Sequence, residues 1–133
     1  MHFQTFIEIK PKAKPRPRFA RGRAYTPASY MKYERHLADI LRDECRKNRL
    51  NPDTGPVMLD LRFFFKVKDG KEGVRTKKPD LDNLVKSIKD AANGILYIDD
   101  AQVWACDAAK FTTKHREGIM IKCTSDLPIN PMN

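Results

Sequence analysis

Between Val57 and Val67 apolar residues recur at every second position: Val57, Leu59, Leu61, Phe63, Phe65 and Val67 share one side, while Asp60, Arg62 and Lys66 lie on the other. A period of two is the signature of a β-strand with one buried face, so this stretch predicts the principal strand of the fold. The opening residues 3–9 follow the same rule more weakly, with Phe3, Thr5, Ile7 and Ile9 set against Gln4, Phe6 and Glu8. Near the carboxyl end two further strands are predicted over 103–112 and 118–124, the second alternating through Ile119, Ile121 and Cys123. Two other segments change period. From Ser29 to Asn48 the apolar positions Tyr30, Tyr33, Leu37, Ile40 and Leu41 recur at helical spacing, with Thr26-Pro27 or Ser29 available to cap the start. From about 80 to 93, Leu81, Leu84, Val85, Ile88, Ala91 and Ala92 form a second stripe, closed by Asn93-Gly94. "NPDTGP" at 51–56 reads as a turn, "KDGKEGVRTKK" at 68–78 as a mobile surface loop, and "ILYI" at 95–98 as a short strand. The predicted order is β-α-β-α-β-β-β, an α+β fold in which a small mixed sheet packs with two helices. One domain over 1–133 is expected, with 126–133 as a loose tail.

Composition narrows the class. A length of 133 residues suits one compact core, and 41% hydrophobic with 32% charged residues is the balance of a soluble globular chain rather than a disordered one. No apolar run approaches the roughly 18–20 residues that span a bilayer, and the opening "MHFQTFIEIK" does not resemble a secretory signal. Cys45, Cys106 and Cys123 are odd in number and widely spaced, which favours neither a disulfide framework nor a zinc site; a cytoplasmic location is expected. His2, His36 and His115 show no metal-binding spacing, and Trp104 reads as a packing residue.

Charge changes the picture. The formal net charge is +9, and between Ile9 and Tyr33 there are eight lysines or arginines and no acidic residue. Such a surface favours a polyanion, because cationic side chains release counterions from phosphates on binding. Lys10, Lys12, Lys14, Arg16, Arg18, Arg21 and Arg23 lie in a segment that Pro11, Pro15 and Pro17 hold extended, and are the first candidates for phosphate contact. Lys66, Lys68, Lys71, Arg75, Lys77 and Lys78 form a second patch.

Against this background four aspartates arrive as two pairs, Asp80/Asp82 and Asp99/Asp100. Taken locally, the first pair is a helix cap and the second a turn. Taken together, a helix of about 14 residues advances roughly 20 Å, and "ILYI" in extended form returns about 13 Å of it, so the two pairs can meet. Converging carboxylates suit a hard divalent cation, which can activate water beside a phosphodiester. Adjacent residues of an extended segment face opposite ways, so only one of Asp99 and Asp100 can join such a site. Lys86, four residues after Asp82, is either half of a surface ion pair or a cation for the scissile phosphate.

The segment "KPDLDNLVKSIKDAANGILYIDDAQV" resembles the signature of the RusA family of Holliday junction resolvases, small endonucleases common in phages and prophages. "KPRPRFARGRAYTPASYMKYE" is similar to the amino-terminal half of that family, so the likeness covers most of the chain. The specific part is Asp-x-Asp-Asn-x-x-Lys followed by Asp-Asp-x-Gln. The resemblance implies a homodimeric, Mg²⁺-dependent endodeoxyribonuclease (Mn²⁺ being the alternative ion) that nicks a four-way DNA junction symmetrically in recombination and repair. Carried onto this chain, it implies Asp80, Asp82 and Asp100 as metal ligands and Lys86 as the catalytic lysine. It implies neither a membrane nor a small-molecule cofactor. Two opposed cuts call for two sites related by a two-fold axis, and Phe6 and Phe64 are candidates for the interface. A non-catalytic basic DNA-binding module, and a nuclease acting on flaps or RNA, stand as the other readings.

Overall fold

The computed structural model describes residues 1–125; the predicted loose tail at 126–133 lies outside them. The elements are β1 (His2–Ile7), β2 (Arg18–Ala20), β3 (Arg23–Tyr25), α1 (Ala28–Lys47), β4 (Val57–Lys66), β5 (Gly73–Val74), α2 (Leu81–Ala91), a 3₁₀ turn (Asp100–Gln102), β6 (Val103–Thr113) and β7 (Gly118–Thr124). Five strands form one sheet in the order β1-β7-β4-β6-β5, and β2 and β3 pair separately. β4 runs parallel to β6 and antiparallel to β7, so the sheet is mixed and the fold α+β, as expected. A parallel pair cannot be joined by a hairpin; the crossover from β4 to β6 contains α2.

The period-two pattern of β4 is realised in its burial. Leu59, Leu61, Phe63 and Phe65 face the core with Ile119, Ile121 and Cys123 of β7 and Phe3 and Ile7 of β1. Against them α1 sets Tyr30, Tyr33, Leu37, Leu41 and Cys45, and α2 sets Leu84, Ile88 and Ala91. The opposite face of the sheet keeps Met58, Phe64, Phe111, Met120 and Phe6 only half-buried. On it Phe64 stacks on Phe111 at 5.4 Å and meets Phe6 at 6.2 Å. Gly118 lies beneath this row: a Cβ there would come within 2.5 Å of the Phe6 ring and 2.4 Å of the Ile7 carbonyl, so only glycine fits.

Four expectations are corrected. "ILYI" is not a strand. Gly94 takes φ +77, and the amides of Ile95 and Leu96 both donate to the carbonyl of Ala92, curling the chain into a turn that buries Leu96 and Tyr97 completely. The apolar run reflects burial, not extension. The loop 68–78 is fastened rather than mobile: Gly73 and Val74 pair with Thr112 and Phe111 as an edge strand, and the Arg75 amide donates to the Lys110 carbonyl at 3.1 Å. The proline-punctuated basic segment contains a hairpin, β2–β3, whose central residues Arg21 and Gly22 both have positive φ (+53 and +75). Finally, α1 begins at Ala28 with Pro27 at its N-cap and no side-chain cap, so neither Thr26 nor Ser29 serves there.

Candidate active site

Asp82, Val85, Lys86 and Lys89 occupy positions i, i+3, i+4 and i+7 of α2 and therefore share one face of the helix. That face forms a wall of a cleft of about 660 Å³, closed by Asp100 from the 3₁₀ turn and by Cys106 and Ala108 from β6. Two of the four aspartates thus come together with two lysines, between α2 and the 3₁₀ turn that leads directly into β6. Lys89 was not anticipated, although the i+7 spacing from Asp82 carried the signal. Cys106 is exposed, but partial desolvation by its neighbours pushes the thiol up and Lys89 opposes the shift.

Asp80 sits at the N-cap of α2 with extended backbone (φ −68°, ψ 140°), yet its side chain accepts no cap hydrogen bond. The local cap reading therefore does not account for it. It does not line the cleft, and among the described residues no three His, Cys, Asp or Glu side chains are gathered closely enough to hold an ion by themselves. Asp82 is exposed, its Oδ1 accepting only the neighbouring Asn83 amide at 3.0 Å. Among the described residues it forms no ion pair with Lys86, so the surface-pair reading of that lysine is not realised.

Asp99 has a different task. It caps the 3₁₀ turn in a capping box with Gln102: its side chain accepts from the Gln102 amide, and its own amide donates to Gln102 Oε1 at 2.9 Å. The Gln102 amide group then reaches back, donating to the carbonyls of Asp53 at 2.8 Å and Gly55 at 2.7 Å. Asp53 also exchanges backbone bonds with Leu96 and Ile98. The "NPDTGP" turn is therefore the frame on which the return segment is mounted, and Gln102 is the clip that aims Asp100. The sequence contained this glutamine in its motif but gave no sign of its partners.

A second set of bonds steadies the approach to Asp80. Lys110 of β6 donates through Nζ to the carbonyls of Lys77 and Pro79, both at 2.9 Å. Arg75 lies 4.3 Å over the Phe65 ring and donates to the Lys78 carbonyl. Arg75 is thus engaged in holding this loop, while Lys77 and Lys78 stay exposed. In the amino-terminal segment Lys14 forms an ion pair with Asp90 of α2, and its amide donates to the Asn83 carbonyl at 3.0 Å. Lys12 packs over Tyr33. Lys10, Arg16, Arg18, Arg21 and Arg23 remain exposed.

A basic α+β domain that brings carboxylates and lysines to one open cleft has the layout of a protein acting on a polyanion. A sequence profile of the endodeoxyribonuclease RusA family matches residues 8–124, and the chain belongs to that family. It is also 28% identical over 136 residues to "Uncharacterized protein YqaN" of Bacillus subtilis (strain 168), covering 90% of this chain and 94% of that protein. Among the described residues no helix is long and apolar enough to cross a membrane.

Proposed function

We propose that this chain is a metal-dependent endodeoxyribonuclease that resolves four-way DNA junctions by paired phosphodiester hydrolysis in recombination and repair, and that it works in the cytoplasm. The observation that carries the reading is the shared cleft of Asp82, Asp100, Lys86 and Lys89 in a chain of the RusA family. The donor set fits a hard cation, since carboxylate oxygens are its preferred ligands. Mg²⁺ keeps several waters and needs only one or two carboxylates together with substrate phosphate, so an open pair of aspartates suffices without a closed cage. Asp82 and Asp100 would hold the ion, while Asp80, the third ligand that the family likeness implies, stands at the helix start outside the cleft lining; Mn²⁺ would serve in the same place. When bound, the ion supplies Lewis acidity and an activated water. Lys86 directs its ammonium at charge developing on the phosphate, and Lys89 extends that positive wall. The exposed arginines and lysines on either side position the backbone without reading sequence.

Two opposed nicks require two such sites, and a homodimer supplies them. The half-buried row Phe6, Phe64 and Phe111, with Asp60, Arg62, Asp107 and Lys122 on the same sheet face, offers a self-complementary surface for a second copy. Arg62 holds the Asp107 carboxyl below its usual range within one chain. Phe64→Glu should convert a dimer to a monomer in sedimentation; a wild-type monomer at micromolar concentration would defeat the dimer.

The decisive test is a synthetic four-way junction incubated with Mg²⁺ or EDTA, beside Asp82→Asn. Paired nicks only with metal, and a variant that binds without cutting, are expected. The open arrangement of the aspartates favours one competing reading, a non-catalytic DNA-binding module. Binding without cleavage under any divalent ion would establish it. Linear duplex, flap and RNA substrates in the same experiment define the selectivity.

A further inference from the structure

The β2–β3 hairpin stands away from the core: every residue from Arg18 to Tyr25 is exposed. Its register pairs Arg18 with Tyr25, Phe19 with Ala24 and Ala20 with Arg23. Directly paired residues share a face of a two-stranded ribbon, so Arg18, Arg23 and Tyr25 lie on one side and Phe19 with Ala24 on the other. Arg21 sits at the tip, where it and Gly22 have the positive φ values that a tight two-residue hairpin loop requires. Phe19 is 77% exposed. A phenyl ring so presented, on a ribbon with three arginines and no acid, is matched to a partner that is both anionic and stacked.

The root of this ribbon is fixed beside the cleft. Lys14 is bonded through its amide to the Asn83 carbonyl, one residue from Asp82, and through its ammonium to Asp90. Phe19 lies five positions beyond Lys14, a reach of about 17 Å for extended chain, or about five base steps at ~3.4 Å each. We propose that Phe19 is the branch-sensing residue of the proposed nuclease: the hairpin arginines grip phosphates while the ring stacks on the base pair left open at the junction, within about five nucleotides of the cut. A continuous duplex must be unstacked before a ring can enter, at a real cost. At a branch point the stack is already interrupted, so the same ring gains contact without that cost. Selectivity for branched over linear DNA follows from one side chain.

This inference rests on the nuclease reading, and its test separates the two. Junctions carrying 2-aminopurine at successive positions near the cleavage point are titrated in EDTA with wild type, Phe19→Ala and Phe19→Trp. Wild type should raise fluorescence at one or two positions within about five nucleotides of the cut. Phe19→Ala should abolish the rise and weaken junction binding about 10-fold, leaving linear-duplex binding within about twofold and the thermal melt unchanged, while Phe19→Trp restores both signals. Arg23→Gln should instead weaken junction and duplex alike and lower the salt slope by about one. An undiminished 2-aminopurine signal and an unchanged junction-to-duplex ratio in Phe19→Ala overturn the proposal, and the ring then serves another partner such as a protein. If wild type cuts junctions in Mg²⁺ while Phe19→Ala behaves identically, this inference alone fails. If wild type never cuts, the nuclease reading fails, and the fluorescence still decides the role of the hairpin.

Discussion

Gln102 offers the sharpest quantitative test of how the cleft is assembled. Its side chain makes three hydrogen bonds of 2.7–2.9 Å, accepting from Asp99 and donating to the carbonyls of Asp53 and Gly55. Gln102→Ala removes all three. Net contributions of about 0.5–1.5 kcal/mol per bond set a range of about 1.5–4.5 kcal/mol. Gln102 is half-buried, so water can reach some of the abandoned groups, and a loss of about 2 kcal/mol is expected. With a urea slope of about 2 kcal/mol per molar, the unfolding midpoint should fall by about 1 M. Activity should fall further than stability accounts for. Asp100 is the first residue of the turn that the Asp99–Gln102 box closes, and a displacement of about 1 Å at a reacting centre can cost on the order of 100-fold. Single-turnover cleavage of a junction, at a temperature where the variant is fully folded, should drop about 10- to 100-fold, while junction affinity in EDTA changes less than twofold. Gln102→Glu keeps the acceptor for Asp99 but sets a carboxylate oxygen against the carbonyls of Asp53 and Gly55, so it should cost at least as much as Gln102→Ala. A variant that unfolds at the wild-type urea concentration and cuts at the wild-type rate would refute the idea that Gln102 aims Asp100.

Three further outcomes follow from the same structure. Lys14→Gln should leave the salt slope of DNA binding unchanged, because its ammonium is already paired with Asp90, whereas Arg18→Gln should lower the slope by about one; equal slopes for the two variants would contradict the assignment. Burial pushes the Cys123 thiol up to about 12 and the Tyr33 hydroxyl to about 12, so in the folded state both keep their protons when the unfolded chain has begun to lose them. The unfolded state then binds fewer protons, and stability should be intact below about pH 9 and decline steadily towards pH 12, measured as urea midpoints across that window; a flat profile would be inconsistent with these shifts. Leu37→Ala, at a fully buried position of α1, should cost about 2–5 kcal/mol in urea unfolding, and a cost below about 1 kcal/mol would deny that α1 is part of the single core.

How much of this protein is legible in its sequence depends on which kind of signal a residue carries. Both helices, β1, β4 and β7 were readable because each repeats its own period over enough residues to declare which face is buried, whereas β6 shows no such alternation and buries none of its residues fully. The concentration of positive charge, the aspartate pairs and the family likeness were equally local facts. What periodicity cannot report is the identity of a distant partner. "ILYI" is apolar enough for a strand, but Gly94 and the burial of Tyr97 against the core make it a turn. Gly73 and Val74 form an edge strand because β6 offers them an open row of backbone groups, not because their own sequence favours one. The hairpin lay hidden in a segment whose prolines suggested irregularity, although Arg21-Gly22 between Phe19 and Tyr25 was a usable turn signal.

The same division runs through the cleft. By itself, the sequence determined that Asp82, Lys86 and Lys89 share a helix face, because a helix's geometry is fixed by its own backbone. The family likeness named Asp100, but only the tertiary structure brought it to that face and tied Lys14 to Asp90, whereas Asp99 is spent on a local cap with Gln102. The two long-range outcomes depend on hydrogen bonds and ion pairs between segments tens of residues apart. Such bonds form only after the hydrophobic faces have brought the segments together.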